Sequence, residues 1–201
     1  MRLQLRTGRS IRVVLALALC VVLGAVSTSH ASWVVYNVTL NGASESPPNA
    51  SLGTGTALVG VNAATNQLYI HLDFAGLSGT TTACHIHAAT AVAGTGTAGV
   101  ATTTPFFAGF PIGVTSATGF DITLDETLAS SWNPAYVTAN GGSTASAEAA
   151  LFAAIAAGKA YLNVHTAAPL GVPGGEIRGF LVPAQVPTEP TTWGKVKALY
   201  K

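Results

Sequence analysis

Short runs of alternating apolar and polar residues, separated by turn-forming residues, dominate this 201-residue chain. The clearest run is Gln67–Phe74, in which Leu, Ile, Leu and Phe alternate with Tyr, His and Asp. Successive side chains of an extended strand point to opposite faces, so one face of this run is apolar and the other polar. Clusters of Gly, Thr, Asn and Pro separate such runs, which is the pattern of an antiparallel β protein.

Seven runs of this kind predict an all-β domain over residues 33–186, an antiparallel immunoglobulin-like β-sandwich with one short α-helix. The predicted strands are Trp33–Leu40, Gly55–Asn62, Gln67–Phe74, Ala83–His87, Gly119–Leu124, Ala160–His165 and Gly175–Val182. Thr144 or Ser146 can cap the start of the helix, and Gly158 can end it. The stretch Ala88–Gly113 is expected to be a long loop.

The N-terminal segment has a different composition. Four arginines precede an apolar run from Val13 to Val26, and the small residues Ser29 and Ala31 follow it. This order is typical of a secretory signal peptide, so residues 1–31 are expected to be removed by cleavage after Ala31. The alternative is an uncleaved anchor helix, although the run is shorter than the roughly 20 residues that span a bilayer. The protein is therefore predicted to be secreted, to the extracellular space, the periplasm or the cell surface.

The charge of the remaining chain excludes one class of function. Between residues 33 and 186 the cations are Lys159 and Arg178, against seven carboxylates. A domain so poor in basic residues lacks the electrostatic surface that binds nucleic acid. Residues 187–201 combine a Pro-rich linker with a short basic amphipathic segment, for which membrane contact and a frayed tail both stay open.

Four histidines follow the predicted cleavage site, and three of them are spaced for metal binding. His85 and His87 flank one residue of a predicted strand, so they share a face with Cα atoms roughly 6.5–7 Å apart. Two imidazoles at that spacing can reach one ion at about 2.0 Å each. A neighbouring strand can supply His165 as a third ligand, and His71, with Asp73 beside it, is an optional fourth. Imidazole ligands favour copper or zinc, and simple hydrogen-bonded or solvated histidines are the alternative.

Structural roles are expected for Cys84, the cysteine that follows the predicted cleavage site, and for three charged residues. Cys84 alternates away from His85, which favours an inert buried thiol over Cys–His catalysis. Glu176 and Arg178 share a strand face, where an ion pair or a hydrogen-bonded anchor is expected. Glu45 precedes two prolines and is expected to fix a loop by accepting hydrogen bonds. The sequence has no Gly-x-Ser-x-Gly motif and no carboxylate pair singled out by spacing, so nothing specific favours a hydrolase.

Five motifs in a fixed order resemble the CHRD domain, the family named after chordin. They are LNGASESPP at residues 40–48, GLSG at 76–79, ACHIH at 83–87, GKAYLNVHT at 158–166 and PGGEIRG at 173–179. The resemblance covers about residues 34–183, and it implies a secreted β-sandwich of immunoglobulin-like shape. It also puts His85, His87 and His165 on histidine positions of the family motifs. Cys84 and the Ala88-Ala89 pair depart from the usual family residues.

The leading interpretation is a secreted binding module of CHRD type, without catalytic activity, that takes copper or zinc at its histidine cluster. Its partner is expected to be an extracellular protein or a matrix ligand. One alternative is a copper-dependent redox enzyme resembling superoxide dismutase, which requires an open coordination position and further ligands. Asp73 is the one candidate for such a ligand. The other alternative is a surface or matrix adhesion module that uses Thr-rich strands.

Overall fold

The computed structural model describes residues 33–170 and 174–184, so the predicted leader and tail lie outside the described residues. The strands are β1 Val34–Asn41, β2 Thr54–Asn62, β3 Gln67–Ala75, β4 Thr81–His87, β5 Ala117–Asp125, β6 Tyr161–Thr166, β7 Ile177–Phe180 and β8 Val182–Pro183. The helices are α1 Pro134–Ala139 and α2 Thr144–Ala156, with short 3-10 turns at Gly42–Ser44 and Ala129–Ser131. None of the helices in these ranges is long and apolar enough to cross a membrane.

All eight strands belong to one antiparallel sheet, in the order β4-β6-β7-β1-β2-β3-β5, with β8 also paired to β1. The predicted all-β antiparallel class is therefore confirmed. The immunoglobulin-like sandwich of two sheets is not confirmed. Hydrogen bonds join the strands continuously from β4 to β5, and the sheet curls into a half-barrel.

Alternating apolar and polar side chains along β3 show which face of the sheet packs against the core. Leu68, Ile70 and Leu72 are completely buried, whereas Tyr69 and His71 between them are partly exposed. Burying one such aliphatic side chain contributes about 1.5–3 kcal/mol to folding, so the apolar face of the strand fixes which side of the sheet is inward. A register slip of one residue would expose that whole face.

The helices differ from the sequence prediction at two points. Ser143, not Thr144 or Ser146, is the N-cap of α2; its hydroxyl accepts from the backbone of Ser146, whose own side chain accepts from the backbone of Ser143. This reciprocal capping box satisfies two amides that the first helical turn leaves unpaired. A second helix, α1, begins at Pro134, and it was not predicted because six residues give too short a periodic pattern.

The long loop between β4 and β5 lies along the outer edge of β4. The amide of Ala101 donates to the carbonyl of Ile86 at 2.8 Å, and the amide of Cys84 donates to Pro105 at 3.2 Å. The loop therefore covers an edge that would otherwise expose unpaired backbone groups. It also brings loop carbonyls next to the side chains of β4.

Candidate metal centre

The pairing of β4 with β6 brings three of the predicted ligands together. In this register His85 lies opposite Asn163, His87 opposite Tyr161, and Ala83 opposite His165. His165 is therefore the diagonal neighbour of His85 on the same face, within reach for a side chain of that length.

The three rings converge on a common region. His85, His87 and His165 each offer one nitrogen, and these nitrogens lie within 4.8 Å of one another. The ring centroid of His85 lies 4.7 Å from that of His87 and 4.8 Å from that of His165. Three nitrogens at about 2.0 Å from one ion in a plane are separated by about 3.5 Å. Closure onto an ion therefore requires side-chain movements of about one ångström, and the residues present fit a metal ion.

Backbone carbonyls set the protonation of two of these rings. The Nδ1 atom of His85 lies 3.1 Å from the carbonyl of Pro105, and that of His87 lies 2.8 Å from the carbonyl of Ala98. A carbonyl can only accept, so Nδ1 carries the proton and Nε2 carries a lone pair. Within the described residues, neither Nε2 atom has a hydrogen-bond partner, and both are shielded from solvent. Metal-ligating histidines are oriented in this way by a second hydrogen bond.

The electrostatic surroundings keep the rings neutral. Burial lowers the pKa of His85 below its usual value. The pKa of His87 falls to about 3, first because of burial and then because of the neighbouring His85 ring. Neutral imidazole is the form that binds a metal, so at neutral pH these ligands need lose no proton on binding.

Tyr161 and Arg178 form a stack behind His87. The Tyr161 ring lies parallel to the His87 ring, with centroids 4.6 Å apart and an angle of 8° between the planes. The guanidinium carbon of Arg178 lies 4.6 Å from the centroid of Tyr161 on a cation–π contact. Tyr161 therefore restricts the rotation of His87, and a permanent positive charge lies one ring beyond it.

Arg178 pairs with Glu45 rather than with Glu176. Its Nε atom lies 3.7 Å from the Glu45 carboxylate, and its guanidinium also donates to the carbonyls of Ser44 and Gly96. Burial raises the pKa of Glu45 to about 7, although the charge of Arg178 and a hydrogen bond from Asn163 act against the rise. The contacts of Glu45 tie the segment after β1 to β6 and β7, in the manner expected of a loop anchor.

Glu176 is a separate buried anchor. It is completely buried, and its carboxylate accepts hydrogen bonds from Ser51, Ser78, Gly79 and Thr166. Burial alone would raise its pKa, but the hydrogen bonds outweigh that effect and hold the pKa below its usual value. A carboxylate with this many donors joins distant segments of the chain. Its acceptor sites are used by these hydrogen bonds, so nothing suggests that it also binds a ligand.

His71 is not brought to the cluster. It lies on β3, and β7, β1 and β2 separate that strand from β6 in the sheet. Its Nδ1 atom is 2.9 Å from Asp121, and its Nε2 atom is 3.4 Å from Asp73. The hydrogen bond with Asp121 is the main reason that the pKa of His71 is raised. Both ring nitrogens therefore contact carboxylates, which favours the charged form and not a metal ligand.

Cys84 is the buried thiol that the alternation predicts. It belongs to the core on the face opposite His85, and burial raises its pKa. Tyr161 and the two loop carbonyls were not predicted to be parts of the site. Tyr161 shares its strand face with His165, a spacing that could have found it, whereas nothing in the loop sequence indicates which carbonyls meet the histidines.

Together these features define an antiparallel β domain that carries a largely buried three-histidine cluster on two adjacent strands. The model of the CHRD domain matches residues 36–181, more than half of the chain, and the protein belongs to this family. CHRD domains occur in extracellular proteins. No curated protein and no solved structure matches the chain.

Proposed function

We propose that the protein is a secreted CHRD-domain binding module in which His85, His87 and His165 hold a copper or zinc ion. One observation carries the proposal: the Nε2 atoms of His85 and His87 are buried lone pairs with no hydrogen-bond partner in the described part of the chain. Leaving a buried acceptor unsatisfied costs about 1–3 kcal/mol. Coordination to an ion would offset that cost for both atoms.

The surrounding residues prepare the ligands. Pro105 and Ala98 hold the two Nδ1 protons through their carbonyls, and Tyr161 limits the orientations of the His87 ring. A bound ion would cross-link β4 and β6, and the Nδ1 hydrogen bonds of His85 and His87 would connect it to the loop along β4. The ion would thus stabilise the surface that this loop forms, which is the surface we propose for an extracellular protein or matrix partner.

The predicted leader supports the proposed location outside the cytoplasm. The arginine-rich segment and apolar run in residues 1–31 support secretion, as does membership of a family found in extracellular proteins. The small number of cations supports a partner other than nucleic acid. Membrane contact by residues 187–201 is part of the proposal only as an accessory contact.

Metal analysis of the purified protein tests the proposed function. After reconstitution with copper or zinc and removal of loose metal, we expect about one equivalent per chain. The His87→Ala variant should bind roughly a hundredfold more weakly, because loss of one of three ligands removes a metal bond. His71→Ala is the matched control and should retain the full equivalent. Absence of bound metal, or equal binding by His87→Ala, would contradict the proposal.

The two alternatives are less well supported. Asp73, the one candidate for an additional ligand of a redox enzyme, contacts His71 on another part of the sheet. We therefore expect the copper-loaded protein to show no superoxide dismutation beyond that of the released ion. The adhesion alternative draws on an open groove on the sheet that includes Thr39, Thr54 and Thr56, and binding of matrix polymers by metal-depleted protein would favour it.

A further inference from the structure

We propose that the three-histidine cluster selects the monovalent ion Cu(I) over the divalent ions Zn²⁺ and Cu²⁺. The inference rests on the metal-binding function proposed above and adds the charge and oxidation state of the ion. It follows from the charge balance of the ligands and their surroundings, and from the number of ligands.

The ligands supply no negative charge. The group that converges consists of His85, His87 and His165, and no described carboxylate or thiolate joins it. Cys84, adjacent in sequence, points into the core. The cost of burying an ion rises with the square of its charge, so a divalent ion among neutral ligands is penalised far more than a monovalent ion.

The hydrogen bonds of His85 and His87 supply no negative charge to these two rings either. Many zinc-bound histidines donate their other N–H to a carboxylate, which makes the ring a stronger donor. Here His85 and His87 donate to the backbone carbonyls of Pro105 and Ala98, which are neutral. The charge of a bound ion is therefore not compensated through these two rings.

The nearest charged side chain on the described stack is positive. Arg178 lies over Tyr161, and Tyr161 lies over His87. The carboxylate nearest to Arg178, that of Glu45, already pairs with it at 3.7 Å. The repulsion from Arg178 is reduced by this pairing, but what remains acts twice as strongly on a divalent ion as on a monovalent ion at the same position.

The number of ligands favours the same ion. Zinc is four-coordinate, so it has to complete a three-histidine site with a water molecule, and Cu²⁺ prefers a tetragonal arrangement of nitrogen and oxygen ligands. Cu(I) has a filled d shell and no such preference, so three nitrogens in one plane satisfy it. The described cluster offers three nitrogens on two adjacent strands, which is the smaller set that Cu(I) requires.

Competition titrations on the full-length protein test this selection. Under anaerobic, reducing conditions, Cu(I) would be titrated against a chromogenic Cu(I) chelator, and Zn²⁺ and Cu²⁺ against chelators of known affinity. We expect Cu(I) to bind more tightly than Zn²⁺ by roughly a hundredfold or more. Equal or tighter binding of Zn²⁺ or Cu²⁺ would overturn the selection while leaving the metal site in place. Binding of none of the three ions would overturn the proposed function as well.

A matched pair of substitutions separates charge from geometry. His165→Asp and His165→Asn replace the same partly exposed ligand with side chains of equal size, of which one carries a negative charge. We expect the preference between Cu(I) and Zn²⁺ to move toward zinc by about tenfold or more in the Asp variant relative to the Asn variant. Circular dichroism would check that both variants fold. The same preference in both variants would show that charge does not set the selection.

Discussion

The two flanks of the sheet place the same residue types in opposite environments. On the flank of β4, β6 and β7, His87 is shielded and neutral, and Glu176 accepts four hydrogen bonds. On the flank of β3 and β5, His71 is partly exposed between carboxylates, and the carboxylate of Glu126 is fully buried with no hydrogen-bond partner within the described ranges. Burial alone therefore does not decide the protonation of a side chain, because the donors and charges around it contribute as much.

The two buried carboxylates show this most clearly. Hydrogen bonds lower the pKa of Glu176 despite its burial. The pKa of Glu126 rises to about 8, first because of burial and then because of the nearby Glu148 and Asp125. The same substitution, Glu to Gln, should therefore have opposite effects on stability at the two positions.

Glu176→Gln should give the largest effect. An amide keeps one acceptor oxygen and turns an NH₂ group toward donors from Ser51, Ser78, Gly79 or Thr166, so buried donors lose their acceptor. We expect a loss of about 3 kcal/mol in the free energy of unfolding. Urea denaturation at pH 7 measures it. A loss below about 1 kcal/mol would show that the network around Glu176 can rearrange.

Glu126→Gln should stabilise the protein, with an effect that depends on pH. Because the folded pKa of about 8 lies above the usual glutamate pKa of 4.5, the folded state binds more protons, and stability falls as pH rises between these values. The neutral amide removes that penalty, so we expect a gain of about 2 kcal/mol at pH 8 and almost none at pH 4. Denaturation curves at both pH values test the sign. A variant that is destabilised at pH 8 would contradict this account.

Much of the fold could be predicted from alternation alone. All seven predicted strands are present, and the last is divided between β7 and β8. Alternation specifies which face of each strand is apolar, and this physical constraint acts within a few residues. It does not specify which strand lies beside which, so it could not distinguish one curled sheet from two stacked sheets.

The candidate site likewise has parts that local patterns predict and parts that they do not. The spacing of His85 and His87 on one strand predicted that they share a face, and the resemblance to CHRD motifs connected them to His165. The position of His71 depended on strand order, which no local pattern encodes, so its distance from the cluster could not be foreseen. The loop carbonyls of Ala98 and Pro105 depended on the path of a weakly patterned segment.

Titration of the metal-free protein by NMR sharpens the comparison of the histidines. The ring of His71 should titrate above its usual pKa, because the charged form is hydrogen-bonded to Asp121. The ring of His87 should stay neutral through the mildly acidic range and titrate near pH 3, if the fold persists there. Ring-proton shifts followed from pH 8 to pH 4 measure the titration of His71 and show whether His87 stays neutral over that range. A His87 ring that titrates together with His71 would mean that the cluster is open to water.

The smallest expected effect concerns the exposed flank itself. Asp121→Asn removes the charge that His71 contacts at 2.9 Å, and Asp73→Asn removes the charge at 3.4 Å. Asp121→Asn should therefore lower the pKa of His71 more than Asp73→Asn does, while the midpoint of thermal unfolding hardly changes, because exposed ion pairs are weakened by solvent. Neither variant should alter metal binding at His85, His87 and His165, since β7, β1 and β2 separate β6 from the strand of His71. Weaker metal binding in either variant would show that the exposed carboxylates influence the buried cluster, and the contrast between the flanks would fail.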